Sequence, residues 1–132
     1  MSVAINPFLR NVLAVDAAMS LAAGAVSVLG AGLLAPLLGL PQPLLFWAGL
    51  FLLPWSAFLF ALSRRAELSR LLLIDVIAIN GLWVVASVAI LVAGLVTPNV
   101  LGIAFLLVQA AAVAVLAELQ FMGLRRGRLA AA

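Results

Sequence analysis

The chain has 132 residues, 68% hydrophobic and 8% charged, with a mean hydropathy of +1.39. A water-soluble domain of this size has no interior able to hide so much apolar surface, so it reads as one integral membrane unit. It contains no cysteine and no histidine, which excludes disulfides, thiol redox chemistry and Cys-ligated zinc or iron–sulfur centres, and leaves haem and transition metals without their usual ligands. All seven basic residues are arginines clustered beside apolar runs, a pattern that orients a membrane protein rather than one that binds nucleic acid.

The N-terminal segment, Met1 to Asn11, carries a single charge at Arg10. The run from Val12 to Ala35 is too long for a signal-peptide core and leads directly into further apolar segments, so it is expected to stay uncleaved as the first membrane helix. Within it Asp16, Ser20, Ala23, Ser27 and Ala31 recur at helical spacing. Small side chains of this kind let helix backbones approach in lipid, and the stripe is expected to face the second or fourth helix.

Pro36 to Pro43 holds three prolines and a glycine around Gln42 and is predicted to turn at the far membrane face. The second helix is predicted over 44–62, with Phe46 and Trp47 as interfacial aromatics and Pro54 inside it. The charged loop Ser63 to Arg70 places Arg64, Arg65 and Arg70 around Glu67. The third helix follows over 71–94, then the uncharged turn Val96 to Asn99. The fourth helix covers 100–122, and the tail carries Arg125, Arg126 and Arg128.

A helix rises about 1.5 Å per residue and a hydrocarbon core is about 30 Å thick, so each of these runs is long enough to cross. The fold class is therefore an all-α transmembrane four-helix bundle. Arg10, Arg64, Arg65, Arg70, Arg125, Arg126 and Arg128 fall in the N-terminus, the middle loop and the tail, and neither other turn holds a charge. By the positive-inside rule both termini are expected in the cytoplasm and the protein in the cell's inner membrane as a multi-pass chain. The halves also echo each other: AGLLAPLLG at Ala31–Gly39 against AGLVTPNVLG at Ala93–Gly102, and FALSRR at Phe60–Arg65 against FMGLRR at Phe121–Arg126. That is the pattern of two parallel hairpin repeats.

The polar residues inside the spans are the candidate sites. Asp16, Asp75 and Glu118 lie six, five and seven residues from the nearest arginine, roughly 7–11 Å inside the cytoplasmic edge. One reading pairs them with snorkelling arginines, Asp75 with Arg70 or Arg125. The other makes them a proton or cation site. Asn80 and Gln109 lie deeper and are expected to bond across the third and fourth helices, because a stranded amide is costly in lipid. Trp83 and Ser87 continue the Asn80 face, and Gln120 shares a face with Gln109, arrangements that suit either a tight seam or a lined cavity. No metal-ligand spacing, nucleophile elbow or phosphate-binding loop is present, so no cofactor and no enzyme activity are expected.

The stretches NGLWVVAS at Asn80–Ser87, the turn around Pro98 and Gly102, and QAAAVAVLAELQFMGLRR at Gln109–Arg126 resemble the small four-helix membrane proteins that bacterial genomes encode in number, and more broadly the DoxX-like group. The resemblance covers the second half and implies a fold and a compartment, not an activity. The missing cysteines set the chain apart from redox bundles of the vitamin K epoxide reductase type. The expected role is a small non-enzymatic structural or accessory component packed in the bilayer against itself or a larger complex. The alternatives are a proton-coupled transporter or ion pathway, and an enzyme acting on a lipid or quinone.

Overall fold

A computed structural model describes residues 2–131, with side chains through Arg126, so the side chain of Arg128 lies outside the described residues. In chain order the elements are β1 (Ser2–Ala4), α1 (Pro7–Leu29), α2 (Ala31–Leu38), α3 (Gln42–Ser63), β2 (Glu67–Ser69), α4 (Arg70–Val92) and α5 (Val100–Ala131). Four of the helices, α1, α3, α4 and α5, are long and apolar enough to cross a membrane. They leave large apolar side chains on the outside, Leu29 at 87%, Val92 at 80% and Val100 at 81% exposed, the surface of a multi-pass membrane protein.

Each helix begins and ends for a local reason. Asn6 caps α1 by accepting from the Leu9 amide at 2.7 Å, with Pro7 just behind it. The first helix was expected to run unbroken to Ala35. It instead ends at Leu29, bends at Gly30 and resumes as α2, which carries Pro36 and stops at the left-handed Gly39 (φ 68°). The bend falls at Gly30, and Pro36 lies inside α2, where it has no N–H to give the Gly32 carbonyl. The segment expected to turn from Pro36 onward is thus partly helix. α3 continues through Pro54 without a break, and α5 runs past Met122, where the fourth helix was expected to end.

The charged middle loop also holds structure that periodicity did not reveal. Residues 67–69 pair antiparallel with residues 2–4, Val3 opposite Leu68. Both of those side chains are buried with Ile5, Leu9, Leu13, Leu62, Leu73 and Leu124, so the ribbon closes the arginine-bearing end of the bundle. Arg10 ties it down by donating to the carbonyls of Ser63 (3.0 Å) and Arg65 (3.2 Å), a cation placed where the end of α3 presents free oxygens.

At the opposite end Asn99 links the two turns. Its amide groups donate to Leu38 O (3.2 Å) and Leu37 O (2.8 Å), and its side-chain oxygen caps α5 through the Gly102 amide (2.9 Å). Gly102 sits so close to the Leu38 carbonyl that a Cβ there would collide with it.

Packing joins α1 to α3 and α4 to α5, with α1 also touching α5, while α3 and α4 share little close backbone packing. Of the small-residue stripe of α1, Ser27 faces the second membrane helix, beside Gly24, while Asp16 bonds to α4 and α5. A Cβ on Gly24 would lie 2.9 Å from Gly49 O, and one on Gly49 would lie 2.9 Å from Gly24 O and 2.7 Å from Ser27 Cβ. The two backbones are in direct contact there.

Candidate functional site: a polar cluster beneath an intramembrane chamber

Asp16 is 2% exposed, Asn80 4% and Gln120 0%, and they come from α1, α4 and α5. Gln120 Nε2 donates to Asp16 Oδ2 at 2.6 Å and Asn80 Nδ2 donates to the same oxygen at 3.0 Å. Asn80 Nδ2 also donates to Gln120 Oε1 at 2.9 Å, which closes the triangle. Asp16 Oδ1 receives only a long 3.3 Å bond from Ser20 Oγ, one turn further along α1. A carboxylate oxygen can accept two hydrogen bonds or more, so Oδ1 keeps acceptor capacity, and among the described residues every group bonded to Asp16 is neutral.

Asp16, Ser20 and Asn80 of this cluster form part of the wall of a cavity of about 100 Å³, whose other walls include Met19, Phe51, Trp55, Ile79 and Trp83. A second cavity of about 250 Å³ continues toward the α2 end between Leu44, Leu45, Ile90 and Leu106. Ala23, Leu52, Trp83 and Gln109 line both. Trp83 and Gln109 therefore stand where the cavities adjoin, and a relay holds them: Trp83 Nε1 donates to Gln109 Oε1 (2.8 Å), Gln109 Nε2 to Ser87 Oγ (2.9 Å), and Ser87 Oγ to Trp83 O (2.7 Å). Phe51 stacks at 6.0 Å on both Trp55 and Trp83, bridging α3 to α4 with side chains where their backbones pack little. The chamber is polar at its arginine-proximal end and apolar beyond.

The candidate residues separate into two groups. Asp16 and Asn80 meet in the cluster. Gln109 bonds across to α4, as expected, but to Trp83 and Ser87 rather than to Asn80. Asp75 and Glu118 do not join Asp16, since both are exposed on the outside of the bundle. Among the described residues, Arg10, Arg125 and Arg126 have other partners. Arg10 spends its donors on backbone carbonyls, Arg125 lies over the Phe121 ring at 5.9 Å, and Arg126 over Phe8 at 4.5 Å. Guanidinium groups find aromatic faces near the interface without desolvating a carboxylate. The two aspartates of the spans, Asp16 and Asp75, thus sit in opposite environments.

The sequence pointed to Gln120 only as a companion of Gln109, and its role as the shortest donor to Asp16 went unread. The signal was its spacing, eleven residues and three turns after Gln109. Phe51 and Trp55 carried no signal, because aromatics at helical spacing usually mean ordinary packing. Among the described residues no three carboxylates gather as a metal site would require. No protein-family model, curated protein or solved structure matches the chain.

Proposed function

We propose that this is an inner-membrane protein that binds a small amphipathic molecule within the bilayer, polar head at the Asp16 cluster and apolar tail in the outer cavity. One observation carries the reading: a buried carboxylate–amide cluster opens onto an apolar chamber at the seam between α3 and α4, where Phe51 stacks on Trp83. Tightly packed membrane helices leave no such space, and polar groups in lipid mark ligand or ion pathways. The outer cavity, about 250 Å³, lies just below the range of ~300–1,000 Å³ usual for small-molecule sites, before the inner one is counted. The role is binding or passage rather than catalysis.

The test is saturable quenching of tryptophan fluorescence by 10-bromodecanol, with the full chain in lipid nanodiscs. Trp83 lines both cavities, so a bromine in the chamber quenches it at a bilayer concentration where lipid-dissolved bromine does not. Ala48→Phe fills the outer cavity, which Ala48 lines, and is expected to weaken binding about tenfold. Quenching that rises linearly with bilayer concentration and is unchanged by Ala48→Phe would remove the proposal.

The same reading places the arginine-rich end in the cytoplasm. Reporters fused after Arg65 or at the C-terminus are expected to stay inside, and reporters at Gln42 or Asn99 to be exported. An exported C-terminal reporter would reverse the orientation.

A further inference from the structure

We infer that the head group this chamber selects is an organic cation, an ammonium carrying apolar substituents, with Asp16 as its counter-charge. The inference rests on the chamber reading and deepens it. Three features on the same wall point one way. Among the described residues the buried carboxylate is bonded only by neutral groups, Ser20, Asn80 and Gln120. Its Oδ1 holds only the single long Ser20 bond, which leaves it able to take a ligand. Phe51, Trp55 and Trp83 line the same cavity, and aromatic faces beside an anion are the surroundings in which a desolvated ammonium is held best.

The geometry also orients the ligand. The inner cavity, about 100 Å³, has the room of about three waters and suits a trimethylammonium-sized head, while the wider outer cavity is walled by Leu44, Leu45, Ile90 and Leu106 and takes an alkyl tail. An anionic head would meet Asp16 itself. A neutral head would gain the tail contacts and amide hydrogen bonds but would leave the carboxylate without a counter-charge.

Three probes with one chain decide it: 10-bromodecyltrimethylammonium, 10-bromodecanol and 10-bromodecanoate, titrated against the full-length protein in neutral-lipid nanodiscs. Affinities are compared per molecule partitioned into the bilayer. The cation is expected to bind about tenfold more tightly than the alcohol, or better still, with the carboxylate weakest. Asp16→Asn, nearly isosteric, is expected to erase the cation's advantage and leave the alcohol's affinity in place. Asp75→Asn, on the outer surface, is expected to keep that advantage.

Equal wild-type affinities for cation and alcohol, both weakened by Ala48→Phe, would overturn the cation inference and leave the chamber standing. Saturable binding by none of the three would overturn both. A cation preference that survives Asp16→Asn would assign it to another carboxylate and overturn the role given to Asp16. The wild-type ranking decides the question even if Asp16→Asn fails to fold.

Discussion

Gly49→Leu is expected to destabilise the protein by about 3 kcal/mol, at the upper end of ordinary overpacking. The reason is backbone contact rather than side-chain crowding. A Cβ at Gly49 would lie 2.7 Å from Ser27 Cβ and 2.9 Å from Gly24 O, and neither atom is the end of a flexible chain that could turn aside. α1 and α3 would have to separate along their whole crossing, which would also shift Ala23 and Leu52, shared by both cavities. Gly81 provides the matched comparison, because a Cβ there meets nothing within 4 Å. Gly81→Ala should leave stability unchanged or raise it by up to about 1 kcal/mol through helix propensity. Reversible unfolding in lipid-like micelles reads both, and a Gly49→Leu protein as stable as Gly81→Ala would mean the helices do not cross where described.

How much of this was legible in the sequence differs from element to element. Length and hydropathy are one-dimensional properties, and they located four spans, but not the start of α1 at Pro7, its end before Gly30 or the run of α5 past Met122. At Gly30 the helix ended, although the apolar run continued without any change of composition. The β1–β2 ribbon was illegible, because three residues with one buried side chain each make no periodicity, and their pairing joins positions 2–4 to 67–69. The site was half legible. Asp16 and Asn80 stood out as polar residues in apolar helices. Which of the carboxylates would turn inward depended on helix rotation, and the seats of Arg125 and Arg126 over Phe121 and Phe8 depend on three-dimensional packing.

The second large effect concerns the polar triangle. Gln120→Met keeps the shape of the side chain and removes both its 2.6 Å bond to Asp16 and the acceptor used by Asn80. Interhelical hydrogen bonds in membranes average only ~0.6 kcal/mol and reach ~1.7 at most. Here, however, a buried carboxylate loses its closest donor, and hydrogen bonds to charged groups contribute ~1.5–3 kcal/mol, so a loss of about 2 kcal/mol is expected.

The triple variant Asp16→Val, Asn80→Val, Gln120→Met should behave differently. With no charge and no amide left to strand, it is expected to recover to within about 1 kcal/mol of the wild type, as apolar replacements of buried polar networks often do. It should also lose the preference for a cationic head group. Thermal unfolding of the single and triple variants measures the contrast. A triple variant less stable than Gln120→Met would make the cluster a net structural support, held in place by folding rather than by a ligand.

The most direct measurement is the position of the bromine of 10-bromodecanol in crystals of the full chain grown from a lipid mesophase, located by anomalous scattering. With the head at Asp16 and Asn80, the tail carries the bromine into the outer cavity between Leu44, Leu45, Ile90 and Leu106, and its strongest peak is expected there. Bromine found only on the lipid-facing surface, with the cavity empty, would contradict it.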